Sequence, residues 1–188
     1  MGKAKWLVAG LLACGAGAAQ AQESGSVYIA PFVGYSHLRI DNGRVFDETE
    51  TLRFDALHVG ATFGYRAPFG LIVEVGRSDA IHADIFQDNV FYSLKQTYGA
   101  IGWQVPFADG WHITPRVGRG RWVLGADDRL LLDNAGERHH EVTGWDNFWE
   151  VGLLRDVGSV ASMGINFKDV DQEFGHTRIG EFTVRFRF

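Results

Sequence analysis

Four groups of side chains in this sequence could do chemistry. Glu74, Arg116, Glu150, Glu181 and Arg185 each fall on the polar side of a segment in which polar and apolar residues alternate. Charges enclosed together must pair, because an unpaired buried ion costs several kcal/mol. They predict a structural ion-pair network; a gate or a narrow conducting path is the functional alternative. Ser162 and His176 are a nucleophile and a base, but such a pair works only within hydrogen-bond reach, and a predicted loop separates them. His139 and His140 lie between Glu137 and Glu141 in a long polar segment. Adjacent residues on extended chain point to opposite sides, which is a poor chelating spacing. His58 and His112 are expected in or near a polar interior, satisfied by neighbouring groups. Lastly, Val45, Phe46, Ile81, Ile85, Phe86 and the run Leu130-Leu131-Leu132 place apolar residues among acidic ones. That mixture suits either a binding surface or local loop packing. No catalytic residue, metal ligand or cofactor is assigned.

The elements that must position these groups are strands. The pattern predicts eight, over 26–38, 53–66, 71–78, 90–105, 111–123, 143–155, 159–167 and 177–188. In the last, Phe182, Val184, Phe186 and Phe188 share one face and Glu181, Thr183, Arg185 and Arg187 the other. Leu57, Val59, Ala61, Phe63 and Tyr65 likewise oppose His58, Gly60, Thr62, Gly64 and Arg66. Val73 and Val75 oppose Glu74 and Gly76, with Ile72 an exception. Trp145, Trp149 and Val151 oppose Asp146, Glu150 and Gly152, with Phe148 an exception. Met163, Ile165 and Phe167 oppose Ser162, Gly164 and Asn166. The first and fourth strands are apolar on both faces in places, so their facing is open.

Connections alternate in length. Residues 67–70, 106–110 and 156–158 form short turns with Pro, Gly or Asp, while 39–52, 79–89, 125–142 and 168–176 are longer and polar. Short and long ends on opposite rims point to an all-β, antiparallel, up-and-down barrel with short periplasmic turns and longer external loops.

Composition bounds the rest. Residues 1–21 read as an export signal: Lys3 and Lys5, an apolar stretch from Trp6 to Ala13, then Ala19-Gln20-Ala21 as the cleavage site, leaving 22–188 as the barrel. The single cysteine, Cys14, falls inside that signal, so the mature chain has no disulfide framework; lipidation at Cys14 is a minor alternative. A net charge of -5 with no basic block gives nucleic-acid binding no support. No run of 18 apolar residues follows the signal. Transmembrane strands need none, because alternation keeps mean hydropathy near zero.

Alternation does not say which face points outward. A soluble lipocalin-like binder would put the apolar set inside. Gly-rich polar faces with opposite charges favour the inverse, as do aromatics near strand ends (Tyr65, Trp103, Trp111, Trp122, Trp145, Phe188), read as an interfacial girdle. The terminal Phe188, with Phe186 and Phe182 behind it, resembles the terminal strand signal of bacterial outer-membrane barrels. The stretch from Val27 to Ser36, VYIAPFVGYS, resembles the first strand of the OmpA-like and OmpX/Ail-like eight-stranded barrels. The resemblance implies a bacterial outer-membrane location. It implies partners in outer-membrane lipid, lipopolysaccharide and the barrel-assembly machinery, with a host or surface ligand at the loops. It also raises an enzymatic alternative, since some small barrels modify lipid A. The deacylase motif His-x-Ser on a late strand is missing here: the comparable stretch is Gly164-Ile165-Asn166-Phe167-Lys168. The reading is therefore a non-enzymatic barrel of structural or surface-interaction role.

Overall fold

The computed structural model describes residues 25–41, 51–83, 90–128, 139–172 and 175–188. The expected export signal and Cys14 lie outside them, as do Val45, Phe46, Ile85, Phe86 and Leu130 to Leu132. The described elements are β1 (Ser26–Asp41), β2 (Thr51–Arg66), β3 (Leu71–Ala83), β4 (Val90–Trp103), β5 (Val105–Ala108), β6 (Trp111–Asp128), β7 (His139–Val157), β8 (Ala161–Gln172) and β9 (Gly175–Arg187). β5 continues the line of β4 past Gln104, and both pair with β6, so the sheet has eight staves. Every neighbour is antiparallel, and pairing of β9 with β1 closes the cylinder.

The register fixes the barrel's dimensions. Following direct partners around the sheet from Tyr28 leads through Gly64, Glu74, Ala100, Gly118, Phe148, Val170 and Thr177 to Leu38, ten residues further along β1. For eight staves at ordinary strand spacing, that stagger tilts the strands by about 40° and gives a radius of about 8 Å. A cylinder that narrow is filled by its own side chains.

The three short turns each close on a glycine with positive φ: Gly70 (93°), Gly110 (68°) and Gly158 (75°). That left-handed conformation is open to glycine at no steric cost, which is why a glycine stands in each turn. At the same rim the Phe188 amide donates to the Val27 carbonyl at 2.9 Å, tying the end of the chain to its first strand.

The structure shifts several expected boundaries. β1, β3, β6 and β8 run on past their expected outer ends to Asp41, Ala83, Asp128 and Gln172, and β7 starts at His139 rather than Thr143. Ile81 and Lys168, expected in loops, are strand residues. Polar and charged residues (Asp79, His82, Lys168, Asp169, Asp171) interrupt the apolar alternation in these segments, which reads as loop although the ladder continues. Pro106 to Ala108, expected in a turn, belong to β5.

Facing is inverted relative to a soluble barrel. Val33, Leu57, Phe63, Val75, Ile101, Trp149, Ile165 and Phe182 are exposed, while Ser36, His58, Thr62, Glu74, Thr114, Glu150 and Thr183 are buried. An apolar exterior around a polar interior is the arrangement of a transmembrane β-barrel. The first and fourth strands now resolve. Tyr28, Ala30, Phe32 and Leu38 point inward from β1, and Leu94, Tyr98 and Ala100 from β4, leaving Val27, Ile29, Val33, Tyr35 and Ile101 outside. Trp122 is a correction: it is 2% exposed and sits in the interior, not in an outer girdle. It shares the inward parity of Gly120 and Leu124, and aromatic type alone misplaced it.

Candidate functional site: the packed lumen

The interior has two storeys. The half nearer the short turns holds the charges. Arg116 on β6 is directly opposite Glu150 on β7, which is opposite Lys168 on β8. The Arg116 guanidinium contacts Glu150 Oε1 through Nη2 at 2.6 Å and Glu74 Oε2 through Nη1 at 2.9 Å, and Nη2 also donates to Asn166 Oδ1 at 2.9 Å. Lys168 Nζ stands 3.6 Å from Glu150 Oε2 and 3.6 Å from Glu181 Oε1. It also sits 4.1 Å from the centre of the Tyr98 ring and 5.0 Å from that of Phe148. Arg185 reaches across the lumen to Glu74 Oε1 at 3.6 Å, donates to Gln104 Oε1 at 2.9 Å and lies 4.1 Å over the Tyr28 ring. The Tyr28 hydroxyl donates to Glu74. Three carboxylates thus meet three cations, all buried.

All five residues expected to form an enclosed network lie in this one cluster. Sequence reasoning missed Lys168, which links Glu150 to Glu181. Its signal was available: counting in twos from Ser162 through Gly164 and Asn166 reaches Lys168 on the inward face. It also missed the ring partners Tyr28 and Tyr98.

The half nearer the long connections carries an apolar cluster beside the buried polar side chains of Ser36, Gln96, Asp146 and Thr177. Leu38, Ala56, Ala80, Leu94, Trp122 and Leu124 form one buried cluster, with Val142 packed against it. Between the storeys lie Tyr98, Phe148, Val170 and Ile179. The large inward rings fit because each faces a glycine directly across the ladder: Tyr28 and Gly64, Phe32 and Gly60, Tyr98 and Gly76, Phe148 and Gly118, Trp122 and Gly144. A Cβ on any of these glycines would collide with its ring. These five glycines are therefore space for aromatic plugs.

The remaining candidates do not assemble. Ser162 is opposite Arg185 on β9 and His176 is opposite Asp171, which puts them nine residues apart along β9, about 30 Å. His176 instead lies 3.2 Å from Asp169. His139 and His140 belong to the β7 backbone, opposite Asp127 and Ala126; their side chains lie outside the description. Among the described residues no three His, Cys, Asp or Glu side chains come together as a metal site. His112 Nε2 meets Asp156 Oδ2 at 2.8 Å at the short-turn rim. His58 departs from expectation: it is buried and stacked on Phe32 at 5.6 Å, but neither ring nitrogen has a hydrogen-bond partner. Its direct partners across the ladder, Gly34 and Ala80, carry no polar side chain.

No family model matches the chain, and no curated protein does. Solved structures do. Neisserial surface protein A is 12% identical, with 88% of this chain and all of that one covered at a TM-score of 0.64. Ail, the attachment invasion locus protein of Yersinia pestis, crystallised with the heparin analogue sucrose octasulfate, is 10% identical over 88% of this chain and all of that one, with a TM-score of 0.60. OprG, an outer membrane protein of Pseudomonas aeruginosa, is 9% identical over 90% of this chain and 98% of that one, with a TM-score of 0.54. At such identities the shared property is the fold: that of the small outer-membrane β-barrels.

Proposed function

We propose that this chain is a non-enzymatic barrel of the bacterial outer membrane with a structural or surface-interaction role, acting through its outer wall and the rim that carries its longer connections. The observation that carries this reading is the doubly filled lumen. Charge-matched residues occupy one storey and an apolar cluster with buried polar neighbours the other, so among the described residues packed side chains take up the interior and Ser162 stands about 30 Å from His176. Lipid A extracted from cells overproducing the protein should show an unchanged acyl pattern by mass spectrometry, and the refolded protein should give no stable conductance steps in planar bilayers. A shifted lipid A spectrum would replace this reading with the enzymatic one, and stable steps would replace it with the pore. A host or surface ligand at the rim is part of the same reading. Shortening the segment 129–138 should leave the barrel folded while removing any adhesion phenotype.

The last strand fits a recognition role during assembly. Phe182, Phe186 and Phe188 all project outward from the closing edge, and Phe188 is 81% exposed. Deleting Phe188 should lower the yield of inserted barrel in cells, read by fractionation and by the mobility shift of unheated samples. An unchanged yield would remove Phe188 from the signal read by the assembly machinery.

A further inference from the structure

The outer wall is not equivalent around its circumference. Read from the short turns outward, β6 presents Trp111, Ile113, Pro115 and Val117, then Arg119 and Arg121. β3 presents Val73 and Val75, then Arg77, and β4 presents Ile101 and Gly99, then Thr97 and Lys95. Register brings these switches together. Arg77 is opposite Thr97, which is opposite Arg121; Gly99 is opposite Arg119; Lys95 is opposite Asp79. Four cations thus occupy a patch two strand spacings wide, about 10 Å, directly above the exposed apolar residues Val75, Ile101 and Val117, with Ile81 beyond it on β3. All four are exposed. Arg77, Lys95 and Arg121 make no hydrogen bond or ion pair with a described residue, and Arg119 lies 5.7 Å from the Trp145 ring. Asp79 is the carboxylate beside them.

Some other charges on the outer wall are paired, although among the described residues Arg155 has only the Trp111 ring, at 5.4 Å. Asp169 holds His176 at 3.2 Å and Arg178 at 3.6 Å, and Asp55 holds His37 at 2.7 Å. The unmatched patch therefore has a charge to satisfy, at the depth where the apolar band ends. Anionic headgroups meet a membrane protein there and attract nearby Lys and Arg side chains. The guanidinium fork matches phosphate geometry, and three of the four cations are arginines.

We propose that the outer face of β3, β4 and β6 is a docking site for the phosphorylated sugar headgroup of lipopolysaccharide, held by Arg77, Lys95, Arg119 and Arg121 with Trp145 at its margin. This rests on the barrel's lying in the outer membrane with its longer connections outward. The end of the apolar band on this face is then level with the outer leaflet's headgroups. The site assigns the protein a fixed lipid neighbour on one side.

The test is retention of defined lipids by the refolded full mature chain, measured by native mass spectrometry from mixed micelles. The probes are bisphosphorylated lipid A, the same lipid A with both phosphates removed, and phosphatidylglycerol. Bisphosphorylated lipid A should bind about tenfold or more tightly than either other lipid, and the variant R77Q/K95Q/R119Q/R121Q should lose that preference. R77Q/R121Q, which removes half the charge, should lose part of it. Arg178→Gln, across the barrel, should lose none. Equal binding of all three lipids, a preference for phosphatidylglycerol, or full retention by the quadruple variant would overturn the site. The barrel reading is checked separately in the same samples by the mobility shift between unheated and boiled protein, so its failure is not confused with failure of the site.

Discussion

The two storeys of the lumen fill the same cylinder by opposite means. Around Arg116 and Lys168 the space is taken by ions whose positions depend on one another: removing any one leaves an enclosed charge. Around Trp122 much of it is taken by Leu38, Leu94 and Leu124, which need volume and shape, with Gln96 and Asp146 as buried polar neighbours. The fold is exacting where charges are enclosed and forgiving where only volume is filled. An apolar cluster tolerates a change of shape that conserves volume. A buried ion network does not tolerate a change of sign, because an orphaned charge costs more than the pair contributes.

The sharpest way to break this comparison is Arg116→Met. It removes the nearest cation from Glu74 and Glu150 together, leaving them Arg185 and Lys168 at 3.6 Å, and should cost about 3 kcal/mol or more, read as a fall in the urea midpoint of the barrel refolded in lipid vesicles. Adding E74Q and E150Q to that variant should recover much of the loss; no recovery would mean that the lower storey acts by packing and not by charge matching. Lys168→Met keeps the length of the side chain and removes its charge. It should cost somewhat less, about 3 kcal/mol, since its carboxylate contacts are longer than those of Arg116. Gly144→Ala attacks the upper storey through a tight fit, driving a methyl into the Trp122 ring, and should cost about 2 kcal/mol by the same unfolding assay. Leu94→Met, which introduces the same residue type as Lys168→Met but in the apolar storey, should cost about 1 kcal/mol; parity between the two methionine variants would abolish the contrast drawn here. Arg178→Gln removes a cation from an exposed pair and should move the midpoint by about 0.5 kcal/mol or less.

The period-two pattern carried most of the fold because lipid outside and polar groups inside impose opposite chemistry on successive residues. It was legible wherever that opposition is clean, as from Leu57 to Tyr65 and from Glu181 to Phe188. It failed where the lumen itself is apolar. Tyr28, Phe32, Leu38 and Tyr98 face inward, so β1 and β4 look apolar on both sides, and Trp122 passes for a girdle residue. It failed again where strands outrun the apolar band. Asp169 and Asp171 face out beyond that band, and the resulting polar run hid the strand that carries Lys168. The members of the lower network were visible one by one from parity. Their mutual contacts were not, because the ten-residue stagger that sets which strands share a level is a property of the closed cylinder.

That closure joins the two strands most distant along the chain. Until β9 meets β1, each end of the sheet is a row of open amide and carbonyl groups, and neither row has water to bond within lipid, at several kcal/mol for each group left unsatisfied. A chain arrested seven staves in is therefore not a slightly less stable barrel but a species with two adhesive edges. Inserting the protein into a bilayer is accordingly an all-or-none event, timed by the arrival of its last thirteen-residue strand, Gly175–Arg187.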